Sequence, residues 1–346
     1  MKKINLSTLA RPHLHGISAY SSARDDFKGE AQVFMDANEN PFDTGFNRYP
    51  DPHQKEIKKL LSEIKNVSTE NIFLGNGSDE AIDLLLRAFC EPGLDNIIIL
   101  PPTYGMYKVS ARINNIAIKE VLLDENFDLS VPQVLEVISR ETKIIFLCSP
   151  NNPTGNSLSL HKVKNLLDNF EGIVVVDEAY IDFADEPSLV ALLPDYQNLA
   201  ILQTLSKAWG LASIRLGLCL ANSEIIDLLD KIKPPYNISG PDQHHAKVAL
   251  SNAFAINEKI NAIKSQREYL IKELVGVKCV TKVFPSDSNF LLVKTINANS
   301  IYQYLTQHGI IVRNRSHEPL CENCLRITVG TEIENQLLID KLKLYA

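Results

Sequence analysis

Lys207 stands in the stretch "QTLSKAWGLASIRLG" (203–217), where the apolar run "LAILQTL" stops and small and apolar residues follow. A lysine is almost never fully buried unless it is paired. In such company it either snorkels to water or is held in a partly dry cleft. In a cleft, burial and a neighbouring cation lower the ammonium pKa and leave a nucleophilic amine. Arg215 is the cation that the spacing offers. Other polar clusters also close short apolar runs. "LGNGSDEAI" brings Gly75, Gly77, Ser78 and Asp79 to a turn that opens a helix, where free N–H groups can hold an anion. Its spacing is neither GxGxxG nor GxxxxGK[ST], which leaves a dinucleotide or P-loop site without support. "CSPNNPTG" (148–155) places Asn152 in a turn. "VVVDEAY" (174–180) carries Asp177 to the end of an apolar run. A carboxylate there needs a partner: a helix cap, a buried salt bridge or a cationic ligand.

The elements that must position these groups alternate along the chain. Short β-branched runs at 96–100, 116–123, 143–149, 172–178, 199–204 and 216–222 are separated by helical patterns, such as Ile82, Leu85, Leu86 and Phe89 on one face. This is the α/β pattern, with the strands of a mostly parallel sheet buried on both faces. In open α/β sheets, ligands bind beyond the carboxyl ends of the strands. An anion cradle, an amide, a carboxylate, a phenol and a lysine then share one edge. An aldehyde cofactor carrying a phosphate and a pyridine nitrogen needs those groups. From about residue 246 the character changes to a long helix pattern (Gln243 to Leu274) and then short strands and helices. The expected organisation is an N-terminal arm (1–45) packing on the small domain, a large domain (46–245) and a smaller α+β domain (246–346).

The 346 residues are 45% hydrophobic, enough for about two domains with a sizeable core. A net charge of −7 argues against a general nucleic-acid or anionic-membrane binder. The N-terminal "MKKINLSTLARPHLHG" has no apolar region after its lysines, unlike a signal peptide, and no run approaches a bilayer span. The six cysteines lie mostly in apolar segments, as in a reducing cytoplasm. Cys321 and Cys324 lack a second ligand pair, so no metal site is expected.

The order and spacing of "NPTG" (152–155), "VVVDEAY" (174–180) and "SKAWGLASIRLG" (206–217) resemble those of the fold-type I, class II pyridoxal-phosphate aminotransferases. Further stretches are similar to the histidinol-phosphate aminotransferase family in particular: "SAY" (18–20), "MDANENPF" (35–42), "NRYPDP" (47–52), "GNGSDEAID" (75–83), "PPTYGMY" (101–107) and "CLRITVGT" (324–331). The likeness runs from about residue 10 to the C-terminus.

The resemblance implies a fold-type I transferase using pyridoxal 5'-phosphate. Lys207 would form the Schiff base and shuttle the proton. Asp177 would pair with the pyridinium nitrogen, and Asn152 and Tyr180 would bond the ring's phenolic oxygen. Ser206, Arg215 and the Gly77–Ser78–Asp79 turn would hold the phosphate, and Tyr104 would stack on the ring. Tyr49 would reach the neighbouring subunit's cofactor phosphate, which implies a homodimer with shared active sites. Arg326 matches the carboxylate-binding arginine. Arg313 is the candidate for a substrate phosphate, with Arg315 either supporting it or facing water. Tyr20, on the arm, would close over the substrate, and Asn152 and Tyr104 would also touch it. The loop 234–245 follows the family only loosely, and Asn237 is a candidate to alter the pocket wall.

The implied reaction is a ping-pong transamination of L-histidinol phosphate with 2-oxoglutarate, giving imidazole-acetol phosphate and glutamate in histidine biosynthesis. Rivals on the same fold are an aromatic amino-acid aminotransferase and a phosphothreonine decarboxylase-like lyase. A degenerate ligand-binding regulator would carry an added DNA-binding region, and none is expected here.

Overall fold

The computed structural model describes residues 5–27, 29 and 31–345. A seven-stranded sheet is formed by β1 (Ile72–Asn76), β2 (Asn96–Ile99), β3 (Ala117–Glu120), β4 (Thr142–Cys148), β5 (Ile173–Asp177), β6 (Leu199–Thr204) and β7 (Leu216–Ala221), in the order β1-β7-β6-β5-β4-β2-β3. Its apolar runs are continuous because both faces are covered. Ile97, Ile99, Ile144, Phe146, Ile173 and Val175 enter one core, whereas Ile98, Ile145, Leu147, Val174 and Val176 enter the other. That is the two-residue period of a strand read from both sides. The helix Gly77–Phe89 supplies Ile82, Leu85, Leu86 and Phe89 to the first of these cores, as its spacing predicts.

The sheet is parallel except for β7, which runs antiparallel to both β1 and β6. This reversal matters for the site. The parallel strands deliver the residues that follow their carboxyl ends to one edge. The antiparallel strand starts at that edge, so the residue that precedes it, Arg215, arrives there too. Gly217 lies where β7 passes the start of the helix Gly77–Phe89. A Cβ on Gly217 would collide with the Ser78 backbone nitrogen, a contact that only glycine avoids.

A second, antiparallel sheet has the order β10-β11-β9-β8, from β8 (Val280–Val283), β9 (Phe290–Thr295), β10 (Arg313–Asn314) and β11 (Cys324–Thr328). It is locked to the large sheet by backbone contacts. Asp287 N donates to Gly155 O at 2.8 Å, and Ser157 N donates to the Asp287 carboxylate at 3.0 Å. The buried Arg267 guanidinium donates to Phe183 O at 3.2 Å and Ser288 O at 3.0 Å, bridging the two sides. These bonds fix β11 over the edge where the candidate residues lie.

Two expectations are corrected. The first helix of the arm does not pack on the small domain. Leu6, Ala10 and Leu14 join the large-domain core with Phe89, Ile225 and Leu229, and Arg11 pairs with Glu91 at 3.1 Å. Its spaced apolar residues fit the groove beside the helix Ser223–Ile232. The long helix pattern also breaks, at Ser251 and Asn252, into Gly240–Leu250 and Ala253–Val275. The Ser251 hydroxyl donates to Lys247 O at 2.9 Å, the local side-chain bonding by which Ser competes with helix continuation, and Asn252 N turns in to Ala249 O at 3.0 Å.

Gly217→Ala is expected to destabilise the fold by about 2–4 kcal/mol, because its Cβ meets backbone that cannot give way. Urea unfolding followed by circular dichroism checks this.

Candidate active site

One pocket on the edge described above is lined by Gly77, Ser78, Asp79, Tyr104, Asn152, Asp177, Tyr180, Ser206, Lys207 and Arg215, with Cys148, Ala179 and Thr204 completing the wall. Each sequence-derived candidate for cofactor contact except Tyr49 is therefore in one place.

Asp177, the last residue of β5, is buried. Its Oδ1 accepts from Ala179 N at 3.1 Å and its Oδ2 from the Tyr107 hydroxyl at 2.7 Å. No cation among the described residues lies within salt-bridge reach of it. Burial pushes its carboxyl up to about 6, against the two hydrogen bonds, which hold it down. Tyr107 was not a sequence candidate. Its signal was a tyrosine at a helix start whose hydroxyl, once buried, must find a partner.

Lys207 is partly exposed, with its Nζ 5.7 Å from the centre of the Tyr180 ring. Its pKa is lowered, first by burial, then by the Arg326 and Arg215 cations, with Asp177 and Asp79 pulling the other way. The amine is thus biased towards its neutral, nucleophilic form. The cradle opposite it is built by glycine. Gly77 has φ +70°, and a Cβ there would stand 2.7 Å from Arg215 Nη2. Gly77 N donates to Arg215 O at 2.6 Å, and Asp79 approaches Arg215 Nη2 at 3.7 Å. Tyr104 is held by donating to Asp79 at 3.0 Å. Behind the cradle, Asn237 donates to Glu80 at 3.0 Å and to Leu74 O at 2.9 Å. It braces the strand and helix from behind and does not line the pocket.

The small sheet contributes cations. Arg326 on β11 donates to Asn152 Oδ1 at 2.6 Å, and the Asn152 amide faces the Tyr180 hydroxyl at 3.5 Å. Arg313 is directly opposite Arg326 in the ladder, so the two share a face. Arg315 continues the ladder through its N–H to Cys324 O and returns to that face by the strand period. Like charges directly opposite destabilise a sheet. Among the described residues, the one carboxylate in salt-bridge reach of these three arginines is Glu318, 3.5 Å from Arg315. Arg315 is half-buried and its Nε is a buried donor without a hydrogen-bond partner, whereas Arg313 is exposed. Of the two readings of Arg315, support for an anion fits this placement better than facing water.

Tyr20 and Tyr49 are not brought to the pocket. They are 63% and 51% exposed, and Tyr49 stacks on Tyr236 at 4.5 Å. His244 and His245 sit in the first turns of the helix Gly240–Leu250, as helix-start residues. Cys321 and Cys324 are both buried in the core.

The donor set fits pyridoxal 5'-phosphate. The N–H groups at the start of Gly77–Phe89, the Ser206 hydroxyl and Arg215 can hold its phosphate. Asp177, buried with only neutral donors, can take a protonated ring nitrogen. Asn152 and Tyr180 can bond the phenolic oxygen, and Tyr104 can cover the ring. The missing Cβ of Gly77 leaves Arg215 room to reach the phosphate.

Comparison with known proteins agrees. The sequence profile described as aminotransferase class I and II matches residues 21–342. The histidinol-phosphate aminotransferase of Christiangramia forsetii is 52% identical over 345 residues, 99% of each chain. Among solved structures, the histidinol-phosphate aminotransferase of Clostridium acetobutylicum superposes with a TM-score of 0.80 at 25% identity, covering 86% of this chain and 90% of that one. That of Sinorhizobium meliloti, solved with pyridoxal-5'-phosphate, gives a TM-score of 0.78 at 24% identity and shares the fold, covering 86% and 82%.

Removing the cation that depresses the Lys207 pKa most should raise it. In cofactor-free protein, Arg326→Gln is expected to move the pH dependence of Lys207 acylation upward. An unmoved profile would assign the depression to burial and Arg215.

Proposed function

The chain belongs to the class I and II aminotransferase family, and from that premise we propose that it transfers the amino group of L-histidinol phosphate to 2-oxoglutarate, yielding imidazole-acetol phosphate and glutamate in histidine biosynthesis. The observation that carries the substrate choice is the face of three arginines, Arg313, Arg315 and Arg326, with one carboxylate beside it. A phosphate ester in one half-reaction and a dicarboxylate in the other both bring an anion for that face. Extensive identity to proteins named for this substrate supports the same reading.

Bound pyridoxal phosphate supplies an aldehyde to carry the amino group and a ring to take up electrons. The residues of this chain do the rest. Lys207 Nζ would hold the cofactor through its aldehyde carbon and would serve as the base for the proton on the substrate α-carbon. Burial and the Arg326 and Arg215 cations lower its pKa, which favours the neutral amine that such a base needs. The Asp177 carboxylate holds the proton on the ring nitrogen. Asn152 is clamped by Arg326 and, with Tyr180, orients the ring oxygen. Ser206, Arg215 and the Gly77–Ser78–Asp79 turn anchor the phosphate. Tyr104 covers the ring and the substrate. Arg326 takes a carboxylate, and Arg313 with Arg315 takes the substrate phosphate.

The reading extends to assembly. The 31–50 segment exposes Val33, Met35, Phe42, Phe46 and Tyr49, more apolar surface than a lone subunit keeps without a partner. A homodimer covers it, with Tyr49 of each subunit reaching the other's cofactor phosphate and Tyr20 closing over the substrate. No helix of the described residues is long and apolar enough to cross a membrane, and the net charge of −7 disfavours nucleic acid and anionic membranes. A cytoplasmic small-molecule enzyme is the consistent placement.

Cofactor-loaded protein mixed with L-histidinol phosphate, without a keto acid, should release one equivalent of imidazole-acetol phosphate per bound cofactor, with a change in the visible spectrum. Conversion by phenylalanine or tyrosine but not by histidinol phosphate would move the enzyme to the aromatic group. Carbon dioxide from phosphothreonine would make it a lyase. Lys207→Ala should lower turnover by roughly 10⁴-fold or more while the protein still unfolds cooperatively near the wild-type temperature. Equilibrium sedimentation should give twice the 38.7 kDa chain mass; a monomer at micromolar concentration would remove the shared-site reading.

A further inference from the structure

We propose that Tyr107 is a positioning residue for the cofactor: its hydroxyl holds Asp177 in one orientation and in the carboxylate form, so that the charge is kept for the ring nitrogen. The inference rests on the cofactor reading above and not on the identity of the substrate.

The geometry is specific. Tyr107 is fully buried, and its hydroxyl donates to Asp177 Oδ2 at 2.7 Å. Its ring has no freedom to drift. It stacks on Phe146, centroids 4.8 Å apart and planes 15° apart, and meets the edge of Tyr104 at 5.5 Å. With Ala179 N on Oδ1, each carboxylate oxygen has one fixed donor. The remaining lone pairs are left for a ligand. Both donors are neutral, and this is the important point. An arginine or lysine in place of Tyr107 would also hold the carboxylate ionised, but it would cancel the charge that attracts a protonated ring nitrogen. A phenol stabilises the anion without neutralising it. A buried tyrosine serving only as packing would be replaceable by phenylalanine; here the hydroxyl is aimed at the one buried carboxylate that lines the pocket at hydrogen-bonding distance.

The groups facing Asp177 are Tyr107 and Tyr104, Cys148 at the end of β4, Tyr180, Asp79 across the pocket and Lys207. Burial raises the Asp177 pKa, and Asp79 adds to that; the Tyr107 and Ala179 bonds and the Lys207 cation oppose it. Removing the hydroxyl removes one opposing contribution. The sign follows: the carboxyl of the variant protonates at higher pH, so the cofactor is lost at higher pH as the solution is acidified.

The test is Tyr107→Phe, which keeps the ring and its stacking. Equilibrium binding of pyridoxal phosphate to the protein, without substrate, should weaken about tenfold at pH 7, the size of one hydrogen bond to a charged group. The acid limb of binding should move up by about 1 pH unit. In the loaded enzyme kcat should fall by a similar factor, with KM for the amine within about twofold. In an Asp177→Asn background, the same substitution should change binding by less than about twofold. Site-specific fluorotyrosine at 107, a stronger donor of nearly the same shape, should move the acid limb down, which keeps the idea testable if the phenylalanine variant folds poorly. Unchanged affinity and acid limb, with only a lower melting temperature, would overturn the proposal. So would an undiminished effect in the Asp177→Asn background. Failure of the wild-type protein to bind pyridoxal phosphate at all would instead count against the cofactor reading.

Discussion

An ionisable carboxylate stands at the end of a wholly buried strand, and much of the surrounding architecture answers to it. β5 brings four apolar residues and then Asp177 into the interior. A buried charge costs several kcal/mol unless it is compensated. The protein compensates it with two neutral hydrogen bonds and stops there. Burial leaves the Asp177 carboxyl well above the usual carboxylate range, pushed up to about 6. Such a group is a poor contributor to stability in an empty pocket and a strong one toward a bound cation. The fold therefore keeps in the site a charge whose partner must come from outside the chain.

The remaining groups reach that charge because one strand is reversed. Were β7 parallel to its neighbours, Arg215 would lie at the opposite edge of the sheet. Its antiparallel course, between β1 and β6, sets the arginine beside the opening of the helix Gly77–Phe89. The close approach at Gly217 and the positive φ of Gly77 are local consequences of that crossing. A single topological choice thus joins the phosphate cradle to the carboxylate and the lysine. The small sheet is brought in by Arg267 and Asp287, which bond backbone and so hold whatever side chains β9 and β11 present.

Most of the pocket was legible in the sequence for a physical reason. Continuous apolar runs end where the strands end, and polar residues beyond those ends have few places to go except the common edge. Lys207, Asp177, Asn152, Ser78 and Arg215 were found this way, and the spacing of the helix faces was right for Ile82 and Phe89. What escaped was set by contacts distant in sequence. Tyr107 meets Asp177 across 70 residues, and nothing local distinguishes it from a packing tyrosine. Arg315 joins the face of Arg313 and Arg326 because Cys324 O accepts its N–H, a ladder bond that composition does not reveal. The start of the arm meets the large domain through Leu6, Ala10 and Leu14, apolar residues that do not by themselves say which groove receives them. Tyr20 and Tyr49 lie exposed and away from the pocket, and nothing local in the sequence marks where an exposed tyrosine points.

Lys207 lies between fields of opposite sign, and that position ties the two halves of the molecule together. Arg326 and Arg215 press its proton off; Asp177 and Asp79 hold it on. One of the depressing cations comes from the small sheet and the other from the start of β7, so the amine senses both. An anion seated against either arginine offsets that cation, whereas a cation seated against Asp177 offsets the carboxylate. Ligands at the two ends of the pocket therefore tune the same amine in opposite directions through charge alone. Because the pocket is partly dry, those effects are screened less than they would be on the surface. The basicity of Lys207 is accordingly set by what occupies the site as well as by the fold.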